Sequence, residues 1–345
     1  MSSNKERSRI TFDEATKVVK LDSNIYRVNL HEDFSIGAVP NGGYTSSCML
    51  SAARTHLSSR EQTDILTAHF EYLNRTTAGL AIITIEDVKL GKQLSTLHLT
   101  LWQDGLLPKA PWIDASTSRR SVLAYATQTN LDTAMGISMP TGFEVTSEDT
   151  YPPLPDFEGL KSKGEDAKWE ITTVPDIYPG RSLRNWAFYI PKGEQVIPGV
   201  LDTWMRRTNG EMIGTGELAY VVDSFPYNLH KFLASPEMRK FIEDSEKPKP
   251  KTEKRGEKEA GSDDRATLWF PTVVLNLEVK KKLPEEGTEW LAMRVTSKQI
   301  KDGRFDLDVL IGDAEGEIVA LSHHVAMILS MGRNTRKRKG EKAVL

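Results

Sequence analysis

Asp223 closes an otherwise apolar run, Leu218-Ala219-Tyr220-Val221-Val222, and is followed by Ser224, Phe225 and Pro226. A carboxylate on a buried helix face is costly without hydrogen-bond partners, so an acid in this setting is a candidate general base. The competing reading places Asp223 in solvent near the helix end, where Pro226 interrupts the pattern. His323 and His324 stand side by side in a strand-like run, and strand alternation sends one of them inward and the other outward. His324 could act as a base, as a donor to a carbonyl, or as a hydrogen-bonded core residue. Gly42, Gly43, Gly214 and Gly216 open two helical stretches, where free backbone N–H groups and the helix dipole can stabilise an oxyanion; plain turn glycines fit the same places. Cys48 is the only cysteine, which excludes an intramolecular disulfide and a multi-cysteine zinc site, and with no evident partner it reads as a small core residue. The sequence has no Gly-x-Ser-x-Gly elbow, Walker A loop, His-Glu-x-x-His helix or Gly-x-Gly-x-x-Gly fingerprint, so no metal or redox cofactor is expected.

These residues need elements to hold them, and the chain offers the same series twice. In the first half, Asn41-Gly42-Gly43-Tyr44 opens a helical pattern reaching Leu57, with strand-like runs at 66–73, 80–88, 95–102 and 112–116. In the second, Asn209-Gly210 and Gly214-Thr215-Gly216 lead into a helix expected over 217–229, then runs at 269–279, 289–297, 305–312 and 318–329. Segments 25–34, 186–190 and 201–206 precede the two helices. One helix followed by a long antiparallel meander, given twice, predicts an α+β fold with a helix across a curved sheet in each half. Setting Gly43 against Gly216 places Leu50 opposite Asp223, so only the second half carries the acid. Trp186, Trp204 and Trp269 are expected in the core, and His98 reads as structural.

Four segments carry a family likeness in their order: Val39-Pro40-Asn41-Gly42-Gly43-Tyr44, His69-Phe70-Glu71-Tyr72-Leu73, 88–96 and Leu101-Trp102-Gln103-Asp104-Gly105. With Leu218 to Asp223 and Phe270-Pro271-Thr272 of the second half, they resemble the acyl-CoA thioesterase II type of the double-hotdog thioesterase-like superfamily. The resemblance implies a double hotdog and hydrolysis of an acyl thioester, acyl-CoA first, by a water that an Asp, a Thr and a Gln orient. Residue by residue, the carboxylate falls on Asp223 and the hydroxyl on Thr272, a type also common on strands for its β-propensity alone. His324 stands where the family has Gln, and Val274-Leu275 replace the Asp-His that follows the family's Thr. Gly42, Gly43, Tyr44, His69 and Gly216 are the residues the likeness sets along the substrate. Related readings are a hotdog enzyme acting on a biosynthetic acyl or polyketide intermediate, by dehydration or release, and a non-catalytic acyl-binding protein.

The chain has 345 residues with Lys+Arg 45 against Asp+Glu 48, a net charge of −3 that supplies no general field for nucleic acid. The expected organisation is an N-terminal hotdog repeat at 1–130, a Pro-rich connector at 131–180, a C-terminal repeat at 181–332 and a basic tail at 333–345. Within the second repeat, 242–265 is a mixed-charge stretch with almost no apolar residues, expected to be a disordered insertion. The polar N-terminus and the lack of a long apolar run point to a soluble cytoplasmic protein with no membrane partner. Homo-oligomerisation stays open.

Overall fold

The computed structural model describes residues 10–143, 154–176, 178–193, 197, 199–227, 229 and 268–335; the charged stretch 242–265 lies outside them. The first half runs through α1 (Phe12–Ala15), β1 (Val19–Asp22), β2 (Ile25–Leu30), a small hairpin of β3 (Ser35–Ile36) and β4 (Val39–Pro40), and α2 (Gly42–His56). It continues as β5 (Asp64–Tyr72), β6 (Gly79–Leu90), β7 (Ser95–Gln103) and β8 (Arg119–Thr129). Next come α3 (Phe157–Lys163), β9 (Trp169–Thr172), β10 (Trp186–Pro191), β11 (Val200–Arg207) and α4 (Leu218–Val222). The chain then forms β12 (Leu268–Trp269), β13 (Thr272–Val279), β14 (Leu291–Thr296), β15 (Ile300–Lys301), β16 (Arg304–Gly312), β17 (Ile318–Met327), β18 (Leu329–Ser330) and α5 (Met331–Thr335).

Fourteen strands build one antiparallel sheet in the order β1-β2-β6-β7-β8-β5-β13-β17-β16-β14-β11-β10-β9, with β15 paired to β16, while β12 pairs with β18 apart from it. From the seam between β5 and β13 outward, each half repeats the same succession of strands. At the seam His69 pairs with Asn276. Both seam strands carry a register shift, between Ile65 and Thr67 on β5 and between Thr272 and Val274 on β13. Matching the two bulges sets Ile65 against Thr272 and, through strand pairing, Ala126 against His324. α2 and α4 lie against each other over the sheet. Residues 43–50 of α2 are buried on every side, because the helix has the sheet on one flank and α4 on the other. This is a double hotdog, the α+β class expected from the repeated series.

Four local expectations change. Residues 112–116 form a turn, where the Asp114 carboxylate accepts from the backbone and hydroxyl of Ser116; the strand starts at Arg119. The helix expected over 217–229 is regular only over Leu218–Val222, preceded by a 3-10 turn at Thr215–Glu217; Ser224 Oγ then bonds Tyr220 O and Pro226 follows. The Pro-rich connector is partly packed, since α3 places Phe157 and Leu160 on Trp204 and Trp290, and β9 extends the sheet. The first three residues of the expected basic tail, Arg333 to Thr335, belong to α5, and 336–345 lie outside the described residues.

Candidate active site

Asp223 caps the C-terminal end of α4 and is buried, and its carboxylate is held from both repeats. Gly43 N–H at the start of α2 donates to Oδ2 at 2.8 Å, and the Thr272 hydroxyl donates to Oδ1 at 2.9 Å. Asn41 accepts from Tyr44 N–H as the helix N-cap and donates its amide to Asp223 O at 3.0 Å, locking one helix end onto the other. Gly43 makes this approach feasible: a Cβ there would lie 2.2 Å from Ala219 O. The carboxylate thus sits at the positive end of a 15-residue helix, where a negative charge is favoured. Thr272 reaches it because of the bulge on β13. Strict alternation would turn Thr272 to the outer face with Val274 and Asn276; the bulge lets Thr272 and Val273 both border the same cavity.

His324 is wholly buried behind the acid, with Nδ1 3.5 Å from Asp223 Oδ1 and Nε2 2.9 Å from Ser322 Oγ. His323 faces the other side of the sheet, near Asp308. In front of the acid lies a cavity of about 640 Å³ bordered by Asn41, Gly42, Tyr72, Asp223, Phe225 and Thr272, with a largely apolar remainder that includes Trp269 and Phe305. Tyr72 bonds Ser46 Oγ at 2.6 Å, and burial, with the Asp223 charge second, holds its phenol well above the usual range. The N–H of Gly42, in the first turn of α2, has no hydrogen-bond partner among the described residues. An ionised carboxylate offers about four lone-pair sites, so the bonds from Gly43 and Thr272 leave Asp223 able to accept a proton from a molecule in the cavity. Among the described residues no group of three or more His, Cys, Asp or Glu side chains could hold a metal, and no helix is long and apolar enough to cross a membrane.

Residues 30–127 match the acyl-CoA thioesterase N-terminal domain family, and residues 149–328 match the acyl-CoA thioesterase C-terminal domain family. The chain belongs to the acyl-CoA thioesterase family. A thioesterase-like protein of Talaromyces wortmannii, TwmA, is 58% identical over 331 residues, covering 95% of each chain. Two solved structures share the fold at low identity. The acyl-CoA thioesterase II TesB2 of Mycobacterium marinum matches with TM-score 0.57 and 16% identity over 96% of this chain and 99% of its own. A hot dog fold protein of unknown function from Alicyclobacillus acidocaldarius matches with TM-score 0.63 and 16% identity over 92% and 97%. The protein is therefore a thioesterase-type, hydrolase-like enzyme.

Set against the residues expected from sequence, the thioesterase fold gathers Asp223, Thr272, His324, Gly42 and Gly43 at one place. It does not bring the other three there. His69 is on the outer face at the seam, bonded to Asn276 and Glu71, because alternation on β5 turns it away from the cavity. The Tyr44 hydroxyl is spent inside the core on Ala15 O and His31 N. Gly216 lies against Arg54 in a second cavity of about 1130 Å³, where Leu50 and Ile65 occupy the places corresponding to the acid and the hydroxyl. Cys48 is buried and its thiol is pushed up to about 12 by that burial, which keeps it unreactive. Sequence reasoning missed Asn41 and Tyr72. Asn41 carried a signal as an N-cap residue directly before the glycines; Tyr72 carried none beyond its place in the His69 to Leu73 strand.

Proposed function

We propose that the protein hydrolyses acyl thioesters, acyl-CoA first among them, with a water activated by Asp223. What carries the reading is the convergence of Gly43 N–H, the Thr272 hydroxyl and the His324 ring on one carboxylate in the wall of an apolar cavity. Asp223 takes a proton from a water whose oxygen attacks the thioester carbonyl carbon. The carbonyl oxygen becomes an oxyanion facing the Gly42 N–H and the positive end of α2. Collapse of the intermediate breaks the C–S bond, and the leaving sulfur takes the proton from Asp223, giving free acid and thiol. Gly43 N–H and Thr272 position the carboxylate, and the His324 ring fills the space behind it. Dehydration of a carrier-bound intermediate would need a second proton-transfer group touching substrate; the imidazole offered for that part does not border the cavity.

The test is release of free thiol from a panel of acyl-CoAs. Asp223→Asn should lower kcat by on the order of 10² or more while the Tm stays close to the wild type, as when a positioned base is lost. Undiminished turnover in Asp223→Asn, on the substrate that the wild type prefers, would sink the assignment.

A further inference from the structure

Among the described residues, three charged ones border the active-site cavity: Asp223, Arg75 and Arg333. Arg333 lies beyond residue 328, where the family match ends, and the structure fixes its backbone with unusual thoroughness. Its neighbour Asn334 is buried, accepts from Ala38 N–H at 2.8 Å and donates to Ile36 O at 2.8 Å. Arg75 donates to the carbonyls of Arg333 and Asn334. Gly37, at φ +61°, leaves room for this clasp, since a Cβ there would stand 2.1 Å from Asn334 Oδ1. The Arg333 side chain, in contrast, is exposed, and its guanidinium makes no ion pair or hydrogen bond among the described residues. Exposed Leu73 and Asn74 border the same part of the cavity wall as Arg75, so this is where it meets solvent.

A guanidinium held at the rim of an apolar cavity suits an anion that accompanies an apolar group. Its planar fork matches phosphate oxygens in two parallel hydrogen bonds, and apolar walls strengthen the attraction. Resting on the thioester reading, we propose that Arg333 anchors a phosphate of the substrate's carrier arm, the phosphopantetheine chemistry shared by CoA and acyl carrier proteins. The acyl group then fills the apolar part of the cavity with its thioester at Asp223. The C-terminal helix thereby supplies a binding residue that the two matched domains lack.

The experiment compares one acyl group on three thiols: CoA, phosphopantetheine and N-acetylcysteamine, which has no phosphate. Arg333→Gln should raise KM for the first two by on the order of 10-fold or more with kcat unchanged, and leave the third untouched. Arg333→Lys should recover part of the loss, and added salt should weaken the wild type more than the Gln variant. A KM change confined to acyl-CoA would move the anchored phosphate to the nucleotide end of CoA and overturn the phosphopantetheine assignment. An equal rise on the N-acetylcysteamine thioester, or no rise on any, overturns the proposal. Affinity for a non-hydrolysable acyl-CoA thioether, measured by calorimetry in Asp223→Asn and in Asp223→Asn/Arg333→Gln, reads the anchor without turnover. A protein that never hydrolyses thioesters yet loses thioether affinity with Arg333 would remove the hydrolase reading and keep this one.

Discussion

The family resemblance sets His324 at the place of a glutamine, and its hydrogen bonds define what an imidazole can do there. Ser322 gives its hydroxyl proton to Asn276 O at 2.5 Å, so toward His324 it can only accept, which places a proton on Nε2. Nδ1 is left facing Asp223 Oδ1, the oxygen that also takes the Thr272 bond. The ring therefore bears on the substrate only through the acid. A glutamine of similar reach can keep one bond toward Ser322 and offer an N–H to Asp223, so His324→Gln should retain activity within about tenfold of wild type. A greater loss would show that the ring does more for the acid than an amide of similar reach. His323→Gln is the control, since His323 faces away from the site. A greater loss of activity in His323→Gln than in His324→Gln would contradict the placement of this strand.

At the level of elements, the acid was legible from its apolar setting, and His324 from alternation on a strand. Thr272 was not legible from pattern alone: its hydroxyl reaches Asp223 only because the β13 bulge breaks the alternation that sequence reading relies on. The short α4 escaped for a similar reason, as the local Ser224 bond to Tyr220 O ends a helix whose apolar pattern runs on. The turn that opens α4 carries its own pH dependence. Glu217 is buried, accepts from Gly214 N–H at 3.3 Å and stands 3.8 Å from Arg207, itself enclosed by Phe12, Phe34, Trp186 and Tyr220. Burial pushes the Glu217 carboxyl up to about 7 despite the nearby guanidinium. A folded-state value above the unfolded one means that protonation favours the fold, so this contribution is full below the unfolded value and is lost as pH rises through about 7. The loss is on the order of 3 kcal/mol between those limits. Glu217→Gln keeps the bond from Gly214 and cannot ionise, so its Tm should stay level from pH 5 to 8 while the wild type declines. Parallel pH curves for the two proteins would show that Glu217 ionises without strain.

Across the whole molecule, the two repeats share strand order, bulge and helix, and the repeat was readable because the strands and the helix, though not the bulge, follow the hydrophobic pattern. Their chemical inequality lies in three positions. Asp223, Thr272 and His324 correspond to Leu50, Ile65 and Ala126, so the first repeat keeps the shape of a site without its polar groups. Instead it lends the second repeat the N-terminal end of α2, and the proposed active site is a joint product of both halves. An acid alone should not reverse this. Leu50 is 5% exposed, and around a carboxylate in its place Ile65 and Ala126 would stand at the positions that hold Thr272 and His324 around Asp223. Leu50→Asp should therefore lower stability by a few kcal/mol, through a buried charge and a lost apolar side chain. Thiol release by Asp223→Asn/Leu50→Asp, assayed below its Tm, should be no faster than by Asp223→Asn alone. Turnover recovered in the double variant would mean that position and helix geometry suffice for the chemistry, and that the hydroxyl and imidazole around Asp223 are dispensable.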